Sequence, residues 1–275
     1  MEIKISHAGY CHNIERITIK GGKWKNIKFP AMFALIKHPK LGFILYDTGY
    51  SSAFFEQTKK FPYSIYGAIT PVHCSKDDEA VSQLEKLGIL PDDIRYIIIS
   101  HFHADHISGL RSFPNSTFIC SRKGYESIKH KKGLSALKEA FIPNLLPNDF
   151  DNRVIFFEDS PVSTITCKGV HEFYPVGYDL FSDNSIKAIL LEGHADKQYG
   201  ILLQNEFGED VFFIADATWS SEAYRELKYP HSLAKLIMHD KSSYYNNLNN
   251  IHLISKKNPS IHIIPSHCIE YFKGE

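Results

Sequence analysis

The stretch SHFHADHISG, residues 100–109, places three histidines and an aspartate within six positions, directly after the apolar run YIII at 96–99. His101 and His103 are two residues apart and can point the same way from an extended segment. Asp105 and His106 lie just beyond, where a turn of the chain offers a second set of donors. The motif is therefore able to hold two metal ions side by side. Imidazole and carboxylate ligands without cysteine suit Zn²⁺ and also Fe, Mn or Co, so the ligand type leaves the metal open.

Four other apolar runs also end in a residue that could bind a metal or support its ligands. FILY is followed by Asp47, KAILLEG by His194, VFFIA by Asp216 and IHIIPS by His267. In layered α/β proteins the strands are held rigidly by the core, and the loops beyond their ends carry the chemistry. The pattern therefore predicts one composite site built from several strand ends.

On these motifs the chain resembles the metallo-β-lactamase superfamily. YDTG, SHFHADHISG, EGHADKQYG, FFIADAT and PSH occur in the order typical of that family, over most of the chain. The segments FALIKHPKLGFILYDTGY, FIPNLLPNDF and DLFSDNSIKAILLEGHADKQYG look most like its N-acyl homoserine lactonase branch. The resemblance implies the α/β fold class and an αββα sandwich, in which two mixed β-sheets are flanked by helices.

The resemblance also implies seven ligands for two metal ions, three for each ion and one aspartate that bridges them. The ligands are His101, His103 and His194 for the first ion, Asp105, His106 and His267 for the second, and Asp216 as the bridge. The expected cofactors are two Zn²⁺ ions, with Fe, Mn or Co as alternatives. Asp47 matches a family aspartate that orients the imidazole ligands from behind.

The implied function is that of a zinc-dependent hydrolase that opens a lactone or a similar ester through a metal-bridging hydroxide. Asp105 and Asp216 are the catalytic candidates, with Asp105 as a relay of the proton to the leaving oxygen. Lactonases of this type often have a tyrosine three residues after the bridging aspartate, and this chain has Trp219 there. An indole donates a hydrogen bond but cannot act as a phenolic acid, so Tyr224 and Tyr199 are considered as substitutes.

Several alternatives stay open at this point. Related hydrolases of the same fold act as thioesterases or phosphodiesterases, and iron-dependent redox enzymes also share it, so the fold does not choose the substrate. Asp216 could cap the helix that follows it. His267 could be an ordinary histidine near the C-terminus, and Asp47 could be only a turn residue in DTG.

The composition of the chain limits the kinds of partner that we expect it to bind. Lys plus Arg and Asp plus Glu both total 31, so no net charge steers it toward nucleic acid or an anionic membrane. The N-terminal stretch lacks the apolar region of a signal peptide, and no run reaches the roughly 18 apolar residues of a membrane span. We therefore expect a cytoplasmic protein that acts on a small-molecule lactone or ester, without a nucleic-acid or membrane partner.

The length of 275 residues suits a single domain over 1–275 with a helical insertion at about 122–150, which Pro143 and Pro147 interrupt. One hypothesis is that this insertion forms a lid or a homodimer contact through its apolar side chains. Those side chains are Phe141, Ile142, Leu145 and Leu146. The alternative is ordinary packing against the rest of the fold.

Overall fold

Two mixed β-sheets form the framework of residues 1–272, the part of the chain that this computed structural model describes. The strands are β1 (Glu2–Ile14), β2 (Asn26–His38), β3 (Gly42–Tyr46), β4 (Val72–His73), β5 (Ile94–Ile98), β6 (Thr117–Cys120), β7 (Val154–Phe156), β8 (Val162–Thr164), β9 (Val176–Asp179), β10 (Ile186–Leu190), β11 (Tyr199–Gln204), β12 (Asp210–Ala215) and β13 (His262–Pro265). The seven-stranded sheet has the order β4-β1-β2-β3-β5-β6-β7, and the six-stranded sheet has the order β13-β12-β11-β10-β9-β8.

The helices of the described residues are mostly short. They are α1 (Glu15–Thr18), α2 (Ser52–Gln57), α3 (Ser64–Ile69), α4 (Ala80–Lys86), α5 (Ala104–Ile107), α6 (Arg122–Ile128), α7 (Leu134–Lys138), α8 (Phe150–Arg153), α9 (Ser221–Arg225) and α10 (Lys241–Lys257). Turns of 3₁₀ helix lie at Lys76–Asp78, Pro91–Asp93, Leu110–Ser112, Pro143–Leu145, Phe157–Asp159, Ser232–Ile237 and Ile269–Phe272. Among residues 1–272, no helix has the length and apolar character that crossing a bilayer requires.

The chain divides into two units. The N-terminal unit contains residues 2–12 and 28–155 together with 271–272, and the C-terminal unit contains Met1, 13–27 and 156–270. The earlier expectation of a single domain with an insertion stays a prediction.

In the N-terminal unit, β3, β5 and β6 run parallel to one another. The side chains of Ile94, Ile97 and Ile98 in β5 are fully buried, as expected for a parallel strand that is covered on both faces. Because the carboxyl ends of parallel strands lie at the same edge, Asp47 after β3 and His101 after β5 emerge together. This arrangement puts the supporting aspartate beside the histidine motif.

In the C-terminal unit, β12 runs parallel to β13, and the other neighbouring strands are antiparallel. Phe212 of β12 and Ile263 of β13 belong to a buried apolar cluster that also includes Leu248 and Ile251 of α10. That helix begins at a strong cap, because the Asp240 carboxylate accepts hydrogen bonds from the backbone N–H groups of the first turn. The parallel pair brings the loop ends of β12 and β13 to one edge, where Asp216 and His267 follow.

The segment at about 122–150 is helical in pieces, formed by α6, α7, a 3₁₀ turn and the start of α8. Phe141, Ile142 and Leu145 are buried within the N-terminal unit, and Leu146 is half-buried. Phe141 packs edge-on against Phe102, with ring centroids 6.4 Å apart. This burial favours ordinary packing, because three of the four side chains named for a lid or dimer contact are covered by the chain itself.

Candidate metal centre

Four of the predicted ligands lie together just after β5, and we call them the motif group: His101, His103, Asp105 and His106. The ring of His101 lies 4.5 Å from that of His103 and 4.0 Å from that of His106, measured between centroids. His106 Nε2 is 3.7 Å from Asp105 Oδ2. His103 is the N-cap of α5, so the helical turn that follows folds Asp105 and His106 back beside the two earlier histidines. His101 and His106 are buried, whereas His103 and Asp105 are partly exposed.

Asp47 orients the motif group from a fully buried position. Its carboxylate lies 2.8 Å from His106 Nδ1 and accepts from both the backbone N–H and the hydroxyl of Ser100, at 2.8 and 2.7 Å. A carboxylate that holds the Nδ1–H of an imidazole leaves Nε2 as the nitrogen that can bind a metal. The side chain of Asp47 therefore does more than form the DTG turn.

The DTG turn itself has a tight backbone. Asp47 has a φ of 56° and Gly49 a φ of 65°, both in the left-handed region. A Cβ atom on Gly49 would lie 2.5 Å from the Cβ of Ala8. Conformations of this kind cost about 1–3 kcal/mol at a non-glycine residue and cluster at functional sites, so Asp47 is held where its carboxylate is needed.

The other three predicted ligands form a second group in the C-terminal unit, which we call the dispersed group: His194, Asp216 and His267. Asp216 Oδ2 lies 2.9 Å from His267 Nε2 and 3.1 Å from His194 Nε2. All three side chains are at least nine-tenths buried. Residues from three separate strand ends thus converge on one carboxylate oxygen.

Backbone contacts hold the dispersed group in place. Gly193 has a φ of 133°, and a Cβ atom there would lie 2.2 Å from the backbone nitrogen of Tyr244, so only glycine fits. The carbonyl groups of Gly193 and His194 accept from the N–H groups of Asp240 and His239, at 2.9 and 3.0 Å. The loop that carries His194 is therefore fastened to the start of α10.

The alternatives for Asp216 and His267 do not account for these contacts. The N-cap of α9 is Ser220, whose hydroxyl accepts from the N–H of Ala223 at 3.2 Å, so Asp216 is not the cap. Ala215, just before Asp216, has a φ of 47°, which marks a sharp turn at the end of β12. His267 is buried against Asp216 rather than exposed near the C-terminus.

Neither predicted substitute for the missing tyrosine lies at the dispersed group. The Tyr224 hydroxyl donates to the Ile263 carbonyl at 3.2 Å, and the Tyr199 ring packs against Phe157 in the sheet. Trp219 is close, since its ring lies edge-on to His194 with centroids 5.7 Å apart.

Tyr244 of α10 is a residue that sequence reasoning missed. Its ring lies 5.7 Å from that of Trp219, and it is almost completely buried. Burial raises the pKa of its hydroxyl well above the usual value, and the charge of Asp216 adds to that rise. The phenol therefore stays protonated at neutral pH. No motif or spacing in the sequence marks this position, because it reaches the site only through the packing of α10.

The donor atoms fit a transition-metal site. The described residues contain groups of histidine and aspartate side chains that could hold a metal ion, and all seven predicted ligands are members of them. The set offers five imidazoles and two carboxylates without a thiolate, which suits zinc, iron, manganese or cobalt. The Asp47 contact to His106 is the outer support that such ligands usually have.

Comparison with known proteins identifies the family and the fold of this chain. A model of the metallo-β-lactamase superfamily matches residues 34–251. The N-acyl homoserine lactonase AttM of Rhizobium radiobacter is 25% identical over 233 residues, which are 82% of this chain and 78% of that protein.

Two solved structures show the same fold. An N-acyl homoserine lactone hydrolase with the product N-hexanoyl-L-homoserine bound at its catalytic metal centre gives a TM-score of 0.70 at 21% identity, covering 100% of this chain and 96% of that one. The dizinc quorum-quenching lactonase AidC, in complex with a product, gives a TM-score of 0.62 at 17% identity, covering 97% and 87%. The predicted αββα sandwich is confirmed.

Proposed function

Because the chain belongs to the metallo-β-lactamase superfamily, we propose that it is a dinuclear metallohydrolase that opens the ring of a lactone or cleaves a similar carboxylic ester. The observation that carries this proposal is the convergence of His194, Asp216 and His267 within one unit, in a chain whose other unit contains a complete HxHxDH motif. The lactonase relative and the lactonases of the same fold support an ester ring as the substrate.

We assign the ligands to two ions as the family pattern implies. His101, His103 and His194 would hold the first ion, Asp105, His106 and His267 would hold the second, and Asp216 would be shared. Zinc is the proposed metal, because the donor set suits it and AidC of the same fold is a dizinc enzyme. When bound, such a pair of ions supplies Lewis acidity and lowers the pKa of water toward neutrality.

The residues of the chain have distinct tasks in this reaction. Asp47 keeps the His106 ring in the orientation and tautomer that present Nε2. Asp216 is buried between two imidazoles, so water does not compete for its carboxylate. Asp105 is the partly exposed aspartate of the three, with 13% of its side chain accessible. We assign to its carboxylate the acceptance of a proton from the attacking water and its transfer to the alkoxide oxygen that leaves, because this aspartate can be reached by solvent.

Trp219 and Tyr244 together replace the single tyrosine that lactonases of this type often have. Trp219 packs against His194 and fixes that ring, and the protonated hydroxyl of Tyr244 is the nearby phenol. A phenol that stays neutral can donate a hydrogen bond to an oxygen that gains negative charge.

A substrate screen with the purified protein tests the proposed function. N-acyl homoserine lactones of several chain lengths, simple lactones, thioesters, phosphodiesters and β-lactams are compared, with the Asp216→Ala variant as the control for adventitious hydrolysis. We expect turnover of lactones that the variant lacks. Turnover of thioesters or phosphodiesters alone would show that the proposed substrate class is wrong. A content of one iron per chain together with oxygen consumption would show that the protein is a redox enzyme and not a hydrolase.

A further inference from the structure

Three large apolar side chains in α3 and just before it are exposed to solvent. Phe61, Ile65 and Ile69 are 71%, 39% and 73% exposed. The helical turn starts ahead of α3, because the Ser64 N–H donates to the Lys60 carbonyl at 3.0 Å. Ile65 and Ile69, which are four residues apart in α3, lie above one another, and Phe61 lies just before the helix.

The contact of α3 with the core is made by Tyr66. Tyr66 is 9% exposed, and its ring packs edge-on against Phe54 with centroids 5.5 Å apart. A surface helix of a globular protein normally has one apolar face, directed at the core. Here α3 has exposed apolar side chains in addition to the buried one.

A second segment with an exposed apolar side chain lies next to α3. The Gly133 N–H donates to the Tyr63 hydroxyl at 3.0 Å, which places the start of α7 beside α3. Leu134, the next residue, is 60% exposed. We call Phe61, Ile65, Ile69 and Leu134 the apolar patch. Single exposed apolar residues are ordinary, but a group of them on neighbouring segments is typical of an interaction surface.

The two segments that carry the apolar patch are rich in lysine. The segments 58–69 and 129–138 contain six lysines and no acidic residue, although the whole chain has equal numbers of basic and acidic residues. Lys59, Lys60 and Lys132 are exposed. Glu139, just beyond the second segment, pairs with Lys131 at 2.6 Å. The balance of charge over the whole chain, which led us to expect no membrane partner, averages over this local excess.

We propose that the apolar patch docks on an anionic membrane surface. The four apolar side chains would enter the headgroup region, while the lysines extend along it to reach lipid phosphates. A lysine near an anionic leaflet contributes about 1 kcal/mol, so several of them add to the apolar burial. A second copy of the chain is a poorer occupant, because a two-fold contact would bring two sets of six lysines together. The inference does not depend on the hydrolase activity.

Co-sedimentation of the whole protein with lipid vesicles tests this proposal. Vesicles of phosphatidylcholine with about a third phosphatidylglycerol are compared with vesicles of phosphatidylcholine alone. We expect binding to the anionic vesicles, weakened by raised NaCl because salt screens the lysines. Lys59→Gln/Lys60→Gln/Lys132→Gln is expected to lower the partition coefficient about a hundredfold, from a factor of about five per lysine. Phe61→Ser/Ile69→Ser is expected to lower it about tenfold or more.

Matched controls keep the test specific. Phe207→Ser removes a phenylalanine that is 78% exposed in the other unit, and Lys40→Gln/Lys168→Gln/Lys256→Gln removes three exposed lysines outside the segments 58–69 and 129–138. Both control proteins should bind as the wild type does. The proposal is overturned if the wild type does not prefer anionic vesicles, or if the patch variants bind unchanged. It is also overturned if the wild type is a dimer that Phe61→Ser/Ile69→Ser converts to a monomer, because a second copy then covers the patch.

Discussion

The motif group and the dispersed group bring similar donors together by different means. The motif group lies within six consecutive residues, and a buried carboxylate, Asp47, orients it through side-chain hydrogen bonds. The dispersed group comes from three strand ends between His194 and His267, and backbone geometry at Gly193 and Ala215 holds it. The motif group should therefore be sensitive to a lost carboxylate, and the dispersed group to a shifted backbone.

The largest loss of activity is expected when Asp216, on which the dispersed group converges, is replaced. Asp216→Ala removes the oxygen that lies near both His194 and His267, and we expect hydrolysis to fall by about a thousandfold or more. Steady-state kinetics on the best substrate of the screen measure it. Asp210→Ala, at the opposite end of the same strand, is the control and should keep most activity. Equal losses in the two variants would show that the strand rather than the carboxylate matters.

The backbone of the dispersed group is tested by Gly193→Ala. The added Cβ would meet the backbone of Tyr244 at 2.2 Å, so the loop must move and carry His194 with it. A displacement of about 1 Å in a reactive geometry costs about a hundredfold in rate, which is the loss we expect in kcat.

Gly208→Ala is the matched control for this variant. Gly208 also has a positive φ, of 78°, but its Cβ would meet nothing within 4 Å. We expect a loss of about 1 kcal/mol in stability, measured by denaturant unfolding, and no change in kcat. If Gly193→Ala behaved like Gly208→Ala, the backbone account of the dispersed group would be wrong.

The motif group is tested by Asp47→Asn. An amide cannot accept all the hydrogen bonds that the carboxylate takes from Ser100 and His106, so the His106 ring loses its fixed orientation. We expect metal affinity to fall by about 10- to 100-fold, measured by competition with a chelator. Asp179→Asn changes a carboxylate of similar burial in the other unit and should leave affinity intact. Unchanged affinity in Asp47→Asn would reduce Asp47 to a turn residue.

The smallest effect is expected from Tyr244→Phe. The change removes only a hydroxyl, and we expect kcat to fall by about fivefold while metal content stays constant, as for the loss of one hydrogen bond of about 1 kcal/mol. Tyr245→Phe, on the next residue of α10, is the control. A normal rate in Tyr244→Phe would leave Trp219 as the sole replacement for the usual tyrosine.

The sequence made the motif group easy to predict and the dispersed group harder. HxHxDH carries four donors in one local pattern, and its ligand chemistry follows from residue type and spacing. His194, Asp216 and His267 were found because each follows an apolar run, and the family resemblance supplied their order. The fold class followed from the same resemblance and is confirmed.

Long-range packing could not be predicted from the residues. The contact of Gly193 with Tyr244 joins positions that no local pattern connects, so neither the required glycine nor the buried phenol was anticipated. The segment at about 122–150 was a candidate lid, but its apolar side chains pack inside their own unit. The net charge of the whole chain did not reveal the lysines in the two segments of the apolar patch, because a total does not record where the charges lie.

We propose that the motif group and the dispersed group serve one pair of metal ions. X-ray absorption on protein loaded with zinc tests it directly, together with the zinc content per chain. We expect two zinc ions per chain and a metal–metal scattering vector at about 3.5–4 Å, the separation typical of two-metal sites. A single bound ion, or two ions without any metal–metal vector, would contradict it.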